Sequence, residues 1–112
     1  MRVVFSPEAL KEFNEAERYF EIQIPGLGAR FRDEVRTSLK RILTWPLSCP
    51  VERGDIRRLV VNRFPYKLMY SIEGGHIYVI AVAHQHREPT YWHGRTTDRV
   101  WARCSIGKRP YR

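Results

Sequence analysis

The sequence predicts an α+β fold: an N-terminal strand, an antiparallel two-helix hairpin, then a three-strand antiparallel meander, with the helices packed on one face of the sheet. Three observations carry that prediction. A short β-branched and aromatic run, residues 2–5, passes directly into a helix start. Two stretches of helical periodicity follow, separated by Pro25-Gly26 and ended by Pro46. Beyond residue 55 the pattern changes to runs of strand formers, two of them joined by Gly74-Gly75.

Each element has its own signal. Ser6-Pro7-Glu8 opens the first helix, because the serine hydroxyl can take a free amide and proline suits the first turn. Leu10, Phe13, Ala16, Phe20 and Ile24 recur at steps of three and four and define its apolar stripe. In the second helix Phe31, Val35, Leu39 and Ile42 do the same. With so few residues between them, the helices should lie antiparallel. Residues 47–55, containing Pro50 and Gly54, read as a loop, and the strand runs are 59–61, 68–72 and 77–82. Gly74-Gly75 suits a tight hairpin turn, which demands positive φ. Along residues 76–84 both alternations mix apolar and polar types, so the inward face of that strand stays open, as does what lies on the sheet's other side.

A chain of 112 residues, 43% hydrophobic, supports one core and therefore one domain. It has no run near the ~18 apolar residues of a spanning helix, and Arg2 precedes too short an apolar run for a signal peptide. The expectation is a cytoplasmic protein with no membrane partner. Cys49 and Cys104 lack the spacing of a zinc or redox motif and read as ordinary thiols.

The net charge of +8 is unevenly spread. Residues 8–21 carry five glutamates against Lys11 and Arg18, net −3, so the cationic excess lies elsewhere. Residues 96–112 hold Arg99, Arg103, Lys108, Arg109 and Arg112 against Asp98, net +4, and read as a basic tail beyond the domain. Arg53, Arg57, Arg58, Arg63, Lys67 and Arg87 fall in the loop and strands of the sheet region. They predict a basic sheet face or edge suited to a phosphate backbone or an acidic protein segment. Solvated surface residues are the plain alternative, and a simple nucleic-acid-binding module is what the charge alone would support. Residues 84–95 are the most distinctive stretch, with His84, His86 and His93 among Tyr91, Trp92 and Pro89. No Asp or Cys nearby completes a metal site, so no metal or other cofactor is expected. Tyr91 and Trp92 have a simpler role in covering the open end of a small core.

Several of these residues together resemble the RelE/ParE superfamily of type II toxin-antitoxin toxins. They are Phe5-Ser6-Pro7-x-Ala9, the hairpin ending at Pro46, Arg58-Leu59-x3-Arg63-Phe64-Pro65-Tyr66-Lys67-Leu68-x-Tyr70, and Ala81-Val82-x-His84-x2-Arg87-x-Pro89-x2-Trp92-x2-Arg95. The resemblance covers residues 1–95 and leaves 96–112 as an extension. It implies a toxin, often a plasmid-stabilising one, neutralised by a cognate acidic antitoxin that adds a strand to a sheet edge and lays an amphipathic helix on the helical hairpin.

The superfamily divides by target. RelE-like members cleave messenger RNA on the ribosome, which needs a base, an acid and cations around phosphorus. ParE-like members inhibit DNA gyrase by binding. Carried over by position, Arg58, Lys67 and Tyr91 match the nuclease pattern, whereas Val60 and Gln85 stand where it requires cations. His84 or His86 would then have to act as base, and Arg57, Arg63 or Arg87 to supply charge. The ending Arg87-x-Pro89-x2-Trp92-x2-Arg95 is nearer the ParE type. The resemblance therefore implies a non-enzymatic inhibitor whose target-binding residues are Arg58, Lys67, His84, Arg87, Tyr91 and Trp92. The alternative is a ribosome-dependent messenger RNA endonuclease with Arg58, Lys67, His84 and Tyr91 as catalytic candidates.

Overall fold

A computed structural model of the chain describes residues 1–85. The elements run β1 (Arg2–Phe5), α1 (Pro7–Gln23), α2 (Leu27–Thr44), β2 (Val51–Arg53), β3 (Ile56–Val60), β4 (Tyr66–Glu73) and β5 (His76–His84). The α+β class, the helical hairpin and the β3-β4-β5 antiparallel meander match the sequence-based expectation.

The sheet as a whole is mixed, not antiparallel. Its order is β1-β5-β4-β3-β2, and β1 lies parallel to β5, with Val3 opposite Ile77 and Phe5 opposite Val79. The cause is the chain path. After β1 the two helices carry the backbone across the sheet to the far edge, and the meander then returns strand by strand until β5 meets β1. The additional strand β2 occupies part of the segment 47–55 read as a loop. It gives little signal because it has three residues, follows Pro50 and exposes Val51.

Buried Ala9, Ala16, Phe31, Val35 and Ile42 of the helices pack on Leu59, Val61, Leu68, Tyr70, Ile77, Val79 and Val82 of the sheet region. The α1 stripe is rotated from the expected one: Ala9 is buried while Leu10 and Ile24 are exposed. Small Ala9 lets the first turn come down on the sheet, and Ser6 fixes it there. The Ser6 hydroxyl accepts from the Ala9 amide at 3.0 Å and donates to the Ile80 carbonyl at 3.1 Å. Phe20, Phe31, Phe64 and Tyr66 form a ring cluster with centroids 4.9 to 5.9 Å apart.

The hairpin turn depends on two glycines and one carboxylate. Gly26 takes φ +90°, and Gly28 packs so close to α1 that a Cβ there would lie 2.7 Å from the Glu17 carbonyl oxygen. Glu21 accepts from the amides of Gly26 and Gly28 at 3.0 to 3.1 Å, capping α2, whose own Ncap residue has no side chain.

A bulge resolves the ambiguous alternation of β5. Met69 pairs with Ala81 and Tyr70 with Val79, leaving Ile80 as the extra residue. Ile77 and Val79 face the helices before it and Val82 after it, so the inward parity changes within one strand. On the opposite face Ile56, Met69, Ile80 and Ala81 form a second buried cluster with Tyr78 against it. Apolar residues on both faces are why neither alternation was clean.

Candidate functional site

Sheet parity places the expected site residues. Arg58 stands between Arg57 and Leu59, both directed to the helix side, and pairs with Met69 of the second cluster. Lys67 stands between Tyr66 and Leu68, both in the helix-side core, and pairs with Val60 and Ala83. Arg58 and Lys67 therefore share the face away from the helices, as diagonal cross-strand neighbours. Arg58 is committed to β2: it donates to the Glu52 carboxylate at 3.1 Å and the Val51 carbonyl at 3.3 Å. Lys67 makes no ion pair among the described residues.

His84 is on the other side. It pairs with Tyr66, their rings edge to face at 5.2 Å, and with Glu12, Glu15, Ala16, Tyr19 and Val82 lines an opening of about 220 Å³ beside α1. Among the described residues no strand covers this edge of β5 beyond Phe5, and α1 supplies a partner: Glu12 accepts from the Val82 amide at 3.0 Å. Burial, with Tyr19 and Glu12 adding to it, raises the Tyr66 phenol above its ordinary pKa. His84 is thus separated from Arg58 and Lys67 by the thickness of the sheet. His86, Arg87, Tyr91, Trp92 and the segment 96–112 lie outside the described residues, as does the domain boundary at 95.

The expected cluster of cations on the sheet is divided. Arg57 faces the helices and donates to the carbonyls of Cys49 at 2.7 Å and Leu47 at 3.2 Å, holding the chain between α2 and β2. Beside it the Tyr70 hydroxyl donates to the Pro46 carbonyl at 2.7 Å. Burial and the nearby Cys49 push that phenol's pKa up, against Arg57. Cys49 itself is buried and free. Arg63 lies in the loop 61–65, which the Val61 amide closes by donating to the Tyr66 carbonyl at 2.8 Å.

The basic surface that sequence reasoning missed runs along α2, which carries Arg30, Arg32, Arg36, Lys40 and Arg41 against Asp33 and Glu34. Arg32 pairs with Glu17 of α1 and Arg36 with Asp33. Arg30 and Arg41 make no ion pair among the described residues, and neither does Arg63. Arg63 adopts φ +70°, a left-handed conformation that costs a residue with a Cβ about 1 kcal/mol. The charge count was visible in the sequence, but the proximity of Arg63 to this helix was not. Among the described residues no group of three or more His, Cys, Asp or Glu side chains could hold a metal ion. No helix among them is long and apolar enough to cross a membrane.

Comparison with known proteins decides among folds that share this outline. The model of the ParE toxin of the type II toxin-antitoxin system parDE matches residues 3–89. The chain belongs to the ParE toxin family. A chain of the solved chromosomal ParDE toxin-antitoxin system from P. aeruginosa superposes with a TM-score of 0.66 at 15% identity, covering 75% of this chain and 95% of that one. At that identity the likeness speaks for the fold. No curated protein matches the sequence. In this ParE-family chain the matched span contains β1 from Val3 onward, β2 to β5 and both helices.

Proposed function

We propose that this toxin acts by binding and inhibiting a cellular target such as DNA gyrase, that it works in the cytoplasm, and that a cognate acidic antitoxin neutralises it. Membership of the ParE family supports a binding mechanism, and the ParDE system to which the chain is similar supports an antitoxin partner. The observation that carries the reading against a nuclease is the placement of His84. General acid-base cleavage of RNA needs base and cations within hydrogen-bond reach of one phosphate. Here the sheet separates His84 from Arg58 and Lys67, and Val60, half exposed beside Lys67, supplies no charge. Arg58 and Lys67 remain suited to contact with a macromolecular target, together with Arg87, Tyr91 and Trp92.

The test is induced expression of the chain without its antitoxin, followed by gyrase supercoiling assays and messenger RNA cleavage mapping on the same cells. Loss of supercoiling with intact ribosome-bound messenger is expected. Lys67→Ala should weaken gyrase inhibition while leaving the fold intact, because Lys67 has no ion partner to lose among the described residues. Codon-periodic messenger cleavage with normal supercoiling would refute the proposal and favour the RelE-type endonuclease.

A further inference from the structure

The sheet has an apolar face on which no described helix lies. Ile56, Met69, Ile80 and Ala81 form the cluster there, with Tyr78 against it. Both helices, together with the loop residues Cys49, Val61 and Phe64, pack in the cluster on the other face. The face is nevertheless dry. Met69, Ile80, Ala81 and the Ser71 that pairs with Tyr78 are 0% exposed, and Ile56 is 3% exposed. A sheet packed on one side ordinarily keeps its other side in water, with polar residues there and large side chains partly open. Complete burial of a methionine and an isoleucine on that side therefore requires a further layer. These exposures hold in a single chain, so the layer has to come from the chain itself.

We propose that residues 96–112, with Val100 and Trp101 as anchors, fold back over Ile56, Met69, Ile80 and Ala81 as a third layer of the domain. The inference goes beyond the target reading and does not depend on it. It replaces the reading of this segment as a basic tail outside the domain, and because the ParE model ends at residue 89 the layer is an addition to the matched span.

Three observations select this occupant. The first is where the chain leaves the sheet: β5 ends at His84, and the Gln85 amide donates to the Pro65 carbonyl at 2.8 Å, beside Lys67 and Ala83 of the same face. Fifteen residues from Gln85 to Val100 reach up to about 50 Å when extended, whereas crossing from β5 to β3 takes about 10 Å. The second is composition. Val100 and Trp101 are an apolar pair in an otherwise cationic segment, and the burial of their area against the patch gives the segment a reason to be there. The third is charge. Glu73, to which the Ser71 hydroxyl donates at 2.7 Å, makes no ion pair among the described residues, and it stands on this face to meet an arginine of a segment with net charge +4.

The layer also changes what the face offers to a partner. Arg58 pairs with Met69 and Lys67 with Ala83, so both border the patch. An anchored segment sets Arg99 and Arg103 beside them, and the cationic surface is then assembled from the strands and the C-terminal segment together.

The chain carries its own reporters for a test on the full-length protein. Its two methionines are exposed Met1 and buried Met69, and its two cysteines are Cys49, buried on the helix side, and Cys104 within the segment. Peroxide oxidation of the methionines and, on separate samples, alkylation of the thiols are followed residue by residue by mass spectrometry. Met69 should oxidise at least about tenfold more slowly than Met1, and Cys104 should alkylate at least about tenfold more slowly than in the urea-unfolded chain. Trp101→Ser should accelerate Met69 oxidation several-fold while Cys49 stays slow, which shows that the helix side is still folded. Met69 oxidising as fast as Met1 in the wild type overturns the proposal, and so does a Met69 rate unchanged in both Trp101→Ser and Val100→Ser. Should Cys49 become reactive in the variants, wild-type Cys104 decides: slow alkylation supports the layer, and alkylation at the unfolded rate overturns it. Met69 protection that is lost on dilution of the wild type overturns it in favour of a second copy of the chain.

Discussion

Replacing Ser6 with alanine removes one oxygen and unties two elements. The hydroxyl is fully buried, accepts from the Ala9 amide at the start of α1 and donates to the carbonyl of Ile80, the bulged residue of β5. Loss of an N-cap costs about 1 kcal/mol. The Ile80 carbonyl would lose its hydroxyl partner inside the protein, which adds about 1 kcal/mol. The Ser6 amide still donates to the Val79 carbonyl at 2.9 Å in the variant, so β1 keeps its register and the fold survives. The expected destabilisation is about 2 kcal/mol, read as a fall of about 1.5 M in the urea midpoint at an unchanged m-value near 1.3 kcal/mol/M. A midpoint shift below about 0.5 M would show that the hydroxyl does not tie α1 to the bulge. A changed m-value would show instead that the variant alters the compactness of one of the end states.

The remaining predictions concern the turn, the loop and alkaline pH. Gly28→Ala should destabilise by about 1 to 3 kcal/mol, since its Cβ would sit 2.7 Å from the Glu17 carbonyl oxygen, and an unchanged melting temperature would contradict that packing. Arg63→Gly should stabilise by about 0.5 kcal/mol, because relief of the positive φ exceeds the entropy glycine adds to the unfolded chain; a loss of stability would contradict it. For Tyr70 the folded pKa is raised, so the folded state keeps its proton where the unfolded phenol, with a pKa of about 10, has lost it. Its contribution is complete below about pH 10 and is lost as pH rises toward the folded value, so urea midpoints should fall above that pH. Tyr70→Phe should cost about 1 kcal/mol at neutral pH and make that alkaline fall shallower, with the raised Tyr66 accounting for the rest. Identical alkaline slopes in the two proteins would refute this assignment.

The helical hairpin was legible because α2 repeats its apolar positions without interruption and proline or glycine stands at each end. In α1 the stripe was misplaced by one residue at its start, since Leu10 is the larger hydrophobe and only the close approach to the sheet favours Ala9. The meander was legible from its runs of strand formers. The parallel partner of β1 was not, because pairing between residues 2–5 and 76–79 is decided by where the helices deliver the chain. Parity along β3 and β4 would have shown Arg58 and Lys67 sharing a face, but His84 lies beyond the Ile80 bulge, which reverses parity without any glycine or proline to mark it. The charged residues of α2 are visible in the sequence outside its apolar stripe, but nothing there brings Arg63 beside them, because its left-handed backbone has no signal when an asparagine precedes it.

The parallel pairing of β1 with β5 also orders events during translation. Ser6 and its bonding partner Ile80 are 74 positions apart, and among the described residues β5 is the one sheet neighbour of β1. The first strand to be made therefore waits for the last, while the hairpin between them can form from local contacts alone. A nascent chain interrupted before residue 76 would hold the two helices, β2 to β4 and an orphan β1, with Phe5 and the part of the hairpin's inner face that β5 covers still wet. The full sheet can close only when nearly the whole described domain has been synthesised, so any toxicity that depends on it switches on late and as a unit.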